Sequence, residues 1–229
     1  MSRLALVVCL SLLGSSCAPA AIKTVYIATA SNFRPVITAL VADLETACDV
    51  AVSVSSGSTG TLISQISQGA PFDLLISADP ELSRQQLQDH PIIAFDPPFA
   101  RALMAYWHPA ANDPAAPVAI ANPDTAPFGR AAMAVIGSDP GNLVRGANAA
   151  QAFAFVHLGA ASAGYVPLSL LLAAGITEDQ YEVIDPQRAP PILLQLVRVK
   201  PGQEASCVAG ALYARLSTQF LVAKGYGAP

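Results

Sequence analysis

The stretch Val50-Ala51-Val52-Ser53-Val54-Ser55-Ser56-Gly57-Ser58-Thr59-Gly60-Thr61-Leu62-Ile63 holds two hydrophobic periods and the corner between them. Val50, Val52 and Val54 alternate with small residues, which is the period of a strand, while Leu62, Ile63 and Ile66 recur at helical spacing. The corner itself, Gly57-Ser58-Thr59-Gly60, contains hydroxyls and glycines but no cation. A second corner of the same kind, Ala30-Ser31-Asn32, follows the strand-like Val25-Tyr26-Ile27-Ala28. Corners that lead from a strand into a helix present free backbone N–H groups and hydroxyls at the positive end of the helix dipole, which suits them to anions. The chain therefore reads as an anion binder before it reads as an enzyme.

Outward from these corners the pattern is strand at 24–30, helix at 35–47, strand at 50–55, helix at 61–68 and strand at 73–77. Val36, Ile37, Leu40, Val41 and Leu44 fall on one helical face, to be buried against a sheet. Alternating elements predict an α/β fold with parallel strands and right-handed crossovers, ligands sitting beyond the carboxyl ends of the strands. Further along, the sequence predicts a helix at 80–88, one strand at 102–107, a loop at 109–117 and a strand at 118–121. A turn at 122–129 leads into a helix at 130–136, with a loop at 138–141 after it. A helix at 148–158, strands at 164–166 and 194–199, and one helix at 205–224 complete the reading.

Residues 1–20 form a leader: Arg3, an apolar run from Leu4 to Leu13, then the small residues Ala18-Pro19-Ala20. The run is too short for a bilayer core of about 30 Å, and its A-x-A ending suits a signal peptidase cutting after Ala20. Ser15-Ser16-Cys17 resembles the end of a lipobox, but Gly14 stands where an aliphatic residue is usual, so lipid anchoring at Cys17 is the secondary reading. Without the leader the formal charge is one unit more negative than the −4 of the whole chain, since Arg3 goes with it. With 12 Lys and Arg in all, nucleic acid and anionic lipid are poor partners, and anion binding has to rest on local dipoles. A hydrophobic content of 53% is ample for a core and excludes disorder.

Cys48 and Cys207 remain after the leader. An even pair in an exported chain suggests a disulfide between an early helix end and a C-terminal helix, with two buried free thiols as the alternative. There is no C-x-x-C, and His90, His108 and His157 stand far apart, so no metal site is expected.

The hydroxyls of Ser31, Ser58 and Thr59 are suited to capping helices, a role compatible with turning a proton toward a ligand. Gly57-Ser58-Thr59-Gly60 is not a G-x-S-x-G elbow, and no histidine occupies a comparable turn, so Ser58 lacks the base a hydrolase would need. No lysine follows the glycine, which excludes a P-loop. Asp73 and Asp79 flank Leu74-Leu75-Ile76 and are read as turn and cap residues rather than as a catalytic carboxylate pair. Tyr106 and Trp107 are read as packing residues. No catalytic residue is expected.

Several segments resemble the periplasmic molybdate-binding proteins of ABC transporters, the ModA family of type II periplasmic binding proteins. They are Ala30-Ser31-Asn32; Gly57-Ser58-Thr59-Gly60 with Gln65-Ile66; the run from Gly69 through Asp73 to Asp79; Ile120-Ala121-Asn122-Pro123 with Ala126-Pro127-Phe128-Gly129; Gly146-Ala147-Asn148 with Gln151 and Phe155-Val156; Gly164-Tyr165-Val166-Pro167-Leu168-Ser169; and Pro190-Pro191-Ile192. The resemblance implies two lobes, each a mostly parallel sheet flanked by helices, with the ligand cleft between them. Lobe I would comprise 21–100 plus 196–229, and lobe II 101–195. It also implies a monomer that needs no cofactor, resides in the periplasm, binds molybdate or tungstate and passes it to a membrane permease. By position, hydroxyl ligands fall on Ser31 and Thr59, with Ser58 adjacent, and backbone N–H donors on Ser31, Thr59, Phe128 and Ala149. Leu143-Val144-Arg145-Gly146 competes for the fourth turn. The chain departs from the family at Pro167 and Phe128, where many relatives carry tyrosine, so both hydroxyls are missing. Sulfate or phosphate binding, phosphate with Asp124 as acceptor, and a secreted serine hydrolase acting through Ser58 are the rival readings.

Overall fold

A computed structural model describes residues 22–91, 94–138 and 141–229. The leader, its cleavage site and Cys17 lie outside the described residues, as do Asp139 and Pro140 of the loop expected at 138–141. In the first part of the chain β1 (Thr24–Ala30), α1 (Arg34–Cys48), β2 (Ala51–Gly57), α2 (Thr59–Ser67), β3 (Leu74–Ser77) and α3 (Pro80–Leu87) alternate. β4 (Ala94–Phe95), β5 (Ala100–Ala102), β6 (Met104–Trp107), β7 (Val118–Ala121), α4 (Pro127–Ile136), β8 (Leu143–Gly146), α5 (Ala149–His157), β9 (Ala163–Pro167), α6 (Leu168–Ala173) and β10 (Tyr181–Val183) follow. The chain ends with β11 (Ile192–Arg198), α7 (Gln203–Tyr213), α8 (Thr218–Ala223) and β12 (Tyr226–Gly227).

Two sheets result. The first runs β12-β5-β11-β3-β1-β2, with β4 also paired to β11, and the second runs β10-β6-β9-β7-β8. Both are mixed rather than mostly parallel. β1 is parallel to β2 and β3, and β7 to β8 and β9, but β11 enters the first sheet antiparallel to β3 and β5. Each parallel strand is followed by a helix, since a parallel neighbour requires a crossover that carries the chain back to the same end of the sheet.

The first sheet is covered on both faces, so its strands alternate between two cores. Ile27, Ile76 and Leu196 pack with Ile37, Leu44 and Val208 from α1 and α7. Ala28, Leu75 and Val197 pack with Leu62, Ile63, Ile66 and Leu87 from α2 and α3. On α1 the expected face is buried at Val36, Ile37, Leu40 and Leu44, with Val41 half-buried at its edge. The second sheet closes over Ala105, Trp107, Ala119, Ala152, Val156, Val166 and Leu171. Trp107 stacks on Phe153 with ring centroids 5.0 Å apart, as a packing residue should.

Several elements differ from the sequence reading. The single strand expected at 102–107 is two strands in different sheets, β5 and β6, separated by Leu103, where the chain crosses between sheets. A continuous apolar run gives no sign of such a crossing. The helix expected at 205–224 breaks after Tyr213, because Ser217 starts a new one by accepting from Phe220 N–H at 3.2 Å. Strands β8 and β10 and helix α6 were not anticipated; α6 is the run Leu168-Ser169-Leu170-Leu171-Leu172-Ala173, too uniformly apolar to show a period.

Candidate functional site

Four strand-to-helix corners meet between the two sheets. β1 and β2 end side by side, Ala30 opposite Gly57, and the ladder continues one residue further as Ser31 N–H donates to the Gly57 carbonyl at 3.0 Å. β7 and β8 end in the same manner, Ala121 opposite Gly146, with Asn122 N–H donating to the Gly146 carbonyl at 2.7 Å. Two hydrogen bonds join the pairs: Gly60 N–H to the Thr125 carbonyl at 2.9 Å, and Ala150 N–H to Ser31 Oγ at 3.3 Å. The fourth corner is Gly146-Ala147-Asn148-Ala149, because the competing Leu143–Gly146 is strand β8, and Asn148 caps α5 by accepting from Gln151 N–H at 3.0 Å.

Three helices begin here, each leaving a buried N–H free. Thr59 is the first residue of α2, Phe128 the second of α4 behind Pro127, and Ala149 the first of α5. None of these N–H groups has a hydrogen-bond partner among the described residues, yet the residues are only 1%, 2% and 4% exposed. Buried donors left unpaired are costly, so an acceptor bound among them would be favoured. The N–H of Ser31, expected as a fourth such donor, is already taken by Gly57, because β1 and β2 stay in register one residue past their ends.

The hydroxyls divide by duty. Ser31 Oγ accepts from Ala150 N–H, and Thr59 Oγ1 accepts from Ala78 N–H at 3.1 Å. With one lone pair so engaged, each hydroxyl still has its proton to donate. Ser58, by contrast, accepts from Thr61 N–H at 3.3 Å and shares a 2.7 Å hydrogen bond with Thr61 Oγ1, which makes it the cap of α2. Pro167, the last residue of β9, is buried and has no N–H to give. Phe128 is buried in the main core, its ring adding no polar group.

Charge around the corners is neutralised locally. Asp79 caps α3 by accepting from Leu82 N–H at 2.9 Å and pairs through its other oxygen with Arg130. Asp73 Oδ2 accepts from Tyr26 N–H at 2.8 Å, so Asp79 is a cap as expected, whereas Asp73 ties the start of β3 to β1. Asp124 is exposed and its carboxylate makes no hydrogen bond among the described residues. What remains at the corners is the positive end of three helix dipoles together with neutral donors.

Residues that sequence reading missed lie behind the first corner. The Asn32 carbonyl accepts from Ser169 Oγ at 2.9 Å and from Tyr226 Oη at 2.8 Å. Burial pushes the Tyr226 hydroxyl up from the ordinary tyrosine range. It stays protonated as a donor. Nothing local in the sequence marks Ser169 or Tyr226, since each reaches Asn32 only through the fold.

A family model described as "Bacterial extracellular solute-binding protein" matches residues 25–218. The molybdate-binding protein ModA of Azotobacter vinelandii is 30% identical over 89% of this chain and 89% of its own length. This chain belongs to the ModA family of bacterial extracellular solute-binding proteins. The solved Azotobacter vinelandii periplasmic molybdate-binding protein superposes with a TM-score of 0.76 at 24% identity, covering 90% of this chain and 99% of that one. A sulfate-binding protein, SubI of Mycobacterium tuberculosis H37Rv, gives 0.69 at 12% identity, covering 89% and 86%. At such identities these two likenesses establish the fold: two sheets flanked by helices in the manner of periplasmic binding proteins.

Proposed function

We propose that the protein captures molybdate or tungstate between two lobes and delivers it to the permease of an ABC transporter. The observation that carries this reading is the donor set: three unpaired N–H groups at helix starts and two hydroxyls whose oxygens already accept from backbone. A fully deprotonated tetrahedral dianion only accepts hydrogen bonds, so such a set satisfies it without a cation. Phosphate near neutrality carries a proton and needs an acceptor, and the exposed Asp124 is poorly suited to supply one. Sulfate presents the same acceptors in a smaller body and is the natural competitor. A hydrolase reading is disfavoured because the Ser58 oxygen is committed to Thr61.

In this reading the lobes are 21–100 with 196–229, and 101–195, except that β5 through Ala102 and β11 from Ile192 belong to the first sheet and go with the first lobe, and the protein acts as a periplasmic monomer without cofactor or nucleic acid. The leader at 1–20 would export it, the periplasm being also where a Cys48–Cys207 disulfide forms. Closure follows because the ligand meets donors from both lobes only when they are shut, which shifts the population to that state. Calorimetric titration of the mature protein with molybdate, tungstate, sulfate and phosphate at neutral pH tests the reading. Tight binding confined to molybdate and tungstate is expected; binding of sulfate or phosphate alone would assign a different oxyanion, with Phe128 and Pro167 as marks of a retuned pocket.

A further inference from the structure

Arg130 stands two residues beyond the Phe128 donor on α4, and Asp79 directly follows Ala78, whose N–H holds the Thr59 hydroxyl. The two side chains form an ion pair across the gap between the halves of the molecule. The other ion pairs among the described residues, Lys23–Glu204, Arg198–Asp96 and Arg215–Asp43, all join elements that pack around the first sheet. Asp79 is held firmly before Arg130 reaches it. Its second oxygen accepts from Leu82 N–H, its own N–H donates to Ser77 Oγ at 3.0 Å, and its carbonyl accepts from Ser83 Oγ at 2.8 Å and Ser77 Oγ at 3.1 Å.

The pair is only partly shielded: the Arg130 side chain is 40% exposed, and a cleft of about 510 Å³ beside it is lined by Arg84, Gln85, Pro98 and Pro191. A deeply buried pair would strand a charge on separation, whereas here water can rehydrate both partners. Such a contact can form and break in each cycle. It also acts at short range, so it strengthens only once the halves have come together and bears on escape rather than on encounter.

We propose that Asp79 and Arg130 form an inter-lobe latch, a pair of positioning residues that sets how slowly the loaded protein reopens. The inference rests on the two-lobed binding function proposed above. Stopped-flow release of tungstate from the mature protein, with Arg130→Gln, Asp79→Asn and the double variant, tests it. Asparagine keeps the cap on α3, so Asp79→Asn removes the charge alone. Each single variant should release tungstate about 3- to 20-fold faster with little change in association, and the double variant should match the singles. Arg215→Gln, which breaks a pair within the first half, should release it at the wild-type rate.

The two charges give opposite signs under the rival explanation. If Arg130 merely attracts the anion through its field, freeing it in Asp79→Asn would tighten binding, and that result would overturn the latch. Unchanged release in both single variants would do the same. Small-angle scattering of the ligand-free proteins supplies a readout independent of the ligand: the single variants should have a larger radius of gyration than wild type, and identical curves count against the latch. Wild-type protein that takes up no oxyanion would instead remove the binding function, leaving the scattering comparison to decide whether the pair holds the halves together.

Discussion

Ser58 and Thr59 are adjacent and carry the same functional group, but the backbone around them assigns each a different task. Ser58 Oγ is the N-cap of α2, accepting from Thr61, whereas Thr59 Oγ1 is turned back to accept from Ala78, the residue that directly follows β3. Replacing Ser58 with alanine should therefore cost about 1 kcal/mol of stability, the usual price of a lost cap, with little change in oxyanion affinity. Thr59→Ala and Ser31→Ala should each weaken binding by about 1–3 kcal/mol, since a donor to a charged group is lost and a backbone N–H loses its acceptor. Calorimetry and urea unfolding separate the two outcomes. Unchanged affinity in both Thr59→Ala and Ser31→Ala would place the anion elsewhere.

At the scale of elements, the approach of one helix to its neighbour depends on what glycine leaves out. A Cβ on Gly60 would sit 3.0 Å from the Thr125 carbonyl oxygen, across the gap, whereas one on Gly129 would sit 2.3 Å from the Ala121 carbonyl oxygen within the second half. Gly60→Ala should thus weaken ligand binding several-fold while leaving the ligand-free protein at least as stable, alanine being the better helix former by about 1 kcal/mol. Gly129→Ala should instead destabilise the protein by about 1–3 kcal/mol, the usual cost of overpacking, because β7 and α4 have no room to part. Thermal unfolding with and without ligand distinguishes them. The same contrast explains what the sequence discloses. From β1 to α3, β2 alternates and β1 and β3 are short apolar runs, while proline opens α1 and α3 and Ser58 opens α2, so the order of elements is legible. The corners at Ser31 and Thr59 are legible for that reason, being local chemistry. Gly60 against Thr125, and Ser31 against Ala150 at a separation of 119 residues, are not, because a contact between halves leaves no period behind. The crossing at Leu103 is hidden in the same way, inside an unbroken apolar run.

Over the whole molecule, the C-terminal segment ties back to the start of the chain at two places with different consequences. At one, β12 brings Tyr226 under the first corner, its hydroxyl donating to Asn32. Since burial raises the folded-state pKa of Tyr226 above that of an unfolded tyrosine, its contribution is complete below about pH 10 and declines as the pH rises beyond that. Urea unfolding should lose stability above pH 10, and Tyr226→Phe should flatten that decline while costing about 1 kcal/mol at neutral pH for the lost hydrogen bond. At the other place, the structure bonds Cys48 at the end of α1 to Cys207 in α7, with Cα atoms 5.8 Å apart and a sequence separation of 159. Both helices pack on the same face of the first sheet, so the link itself lies within one half and crosses no moving gap, although the loop it closes contains the whole second sheet. Reduction should therefore lower stability by about 2–5 kcal/mol while leaving oxyanion affinity nearly unchanged in protein that remains folded. The comparison is to be made on chain lacking residues 1–20, so that Cys48 and Cys207 are the cysteines present. Thiol labelling after denaturation should find none reactive without reductant and two with it. Two reactive thiols without reductant would mean that α1 and α7 are held by packing alone, and the stability loss on adding reductant should then vanish as well.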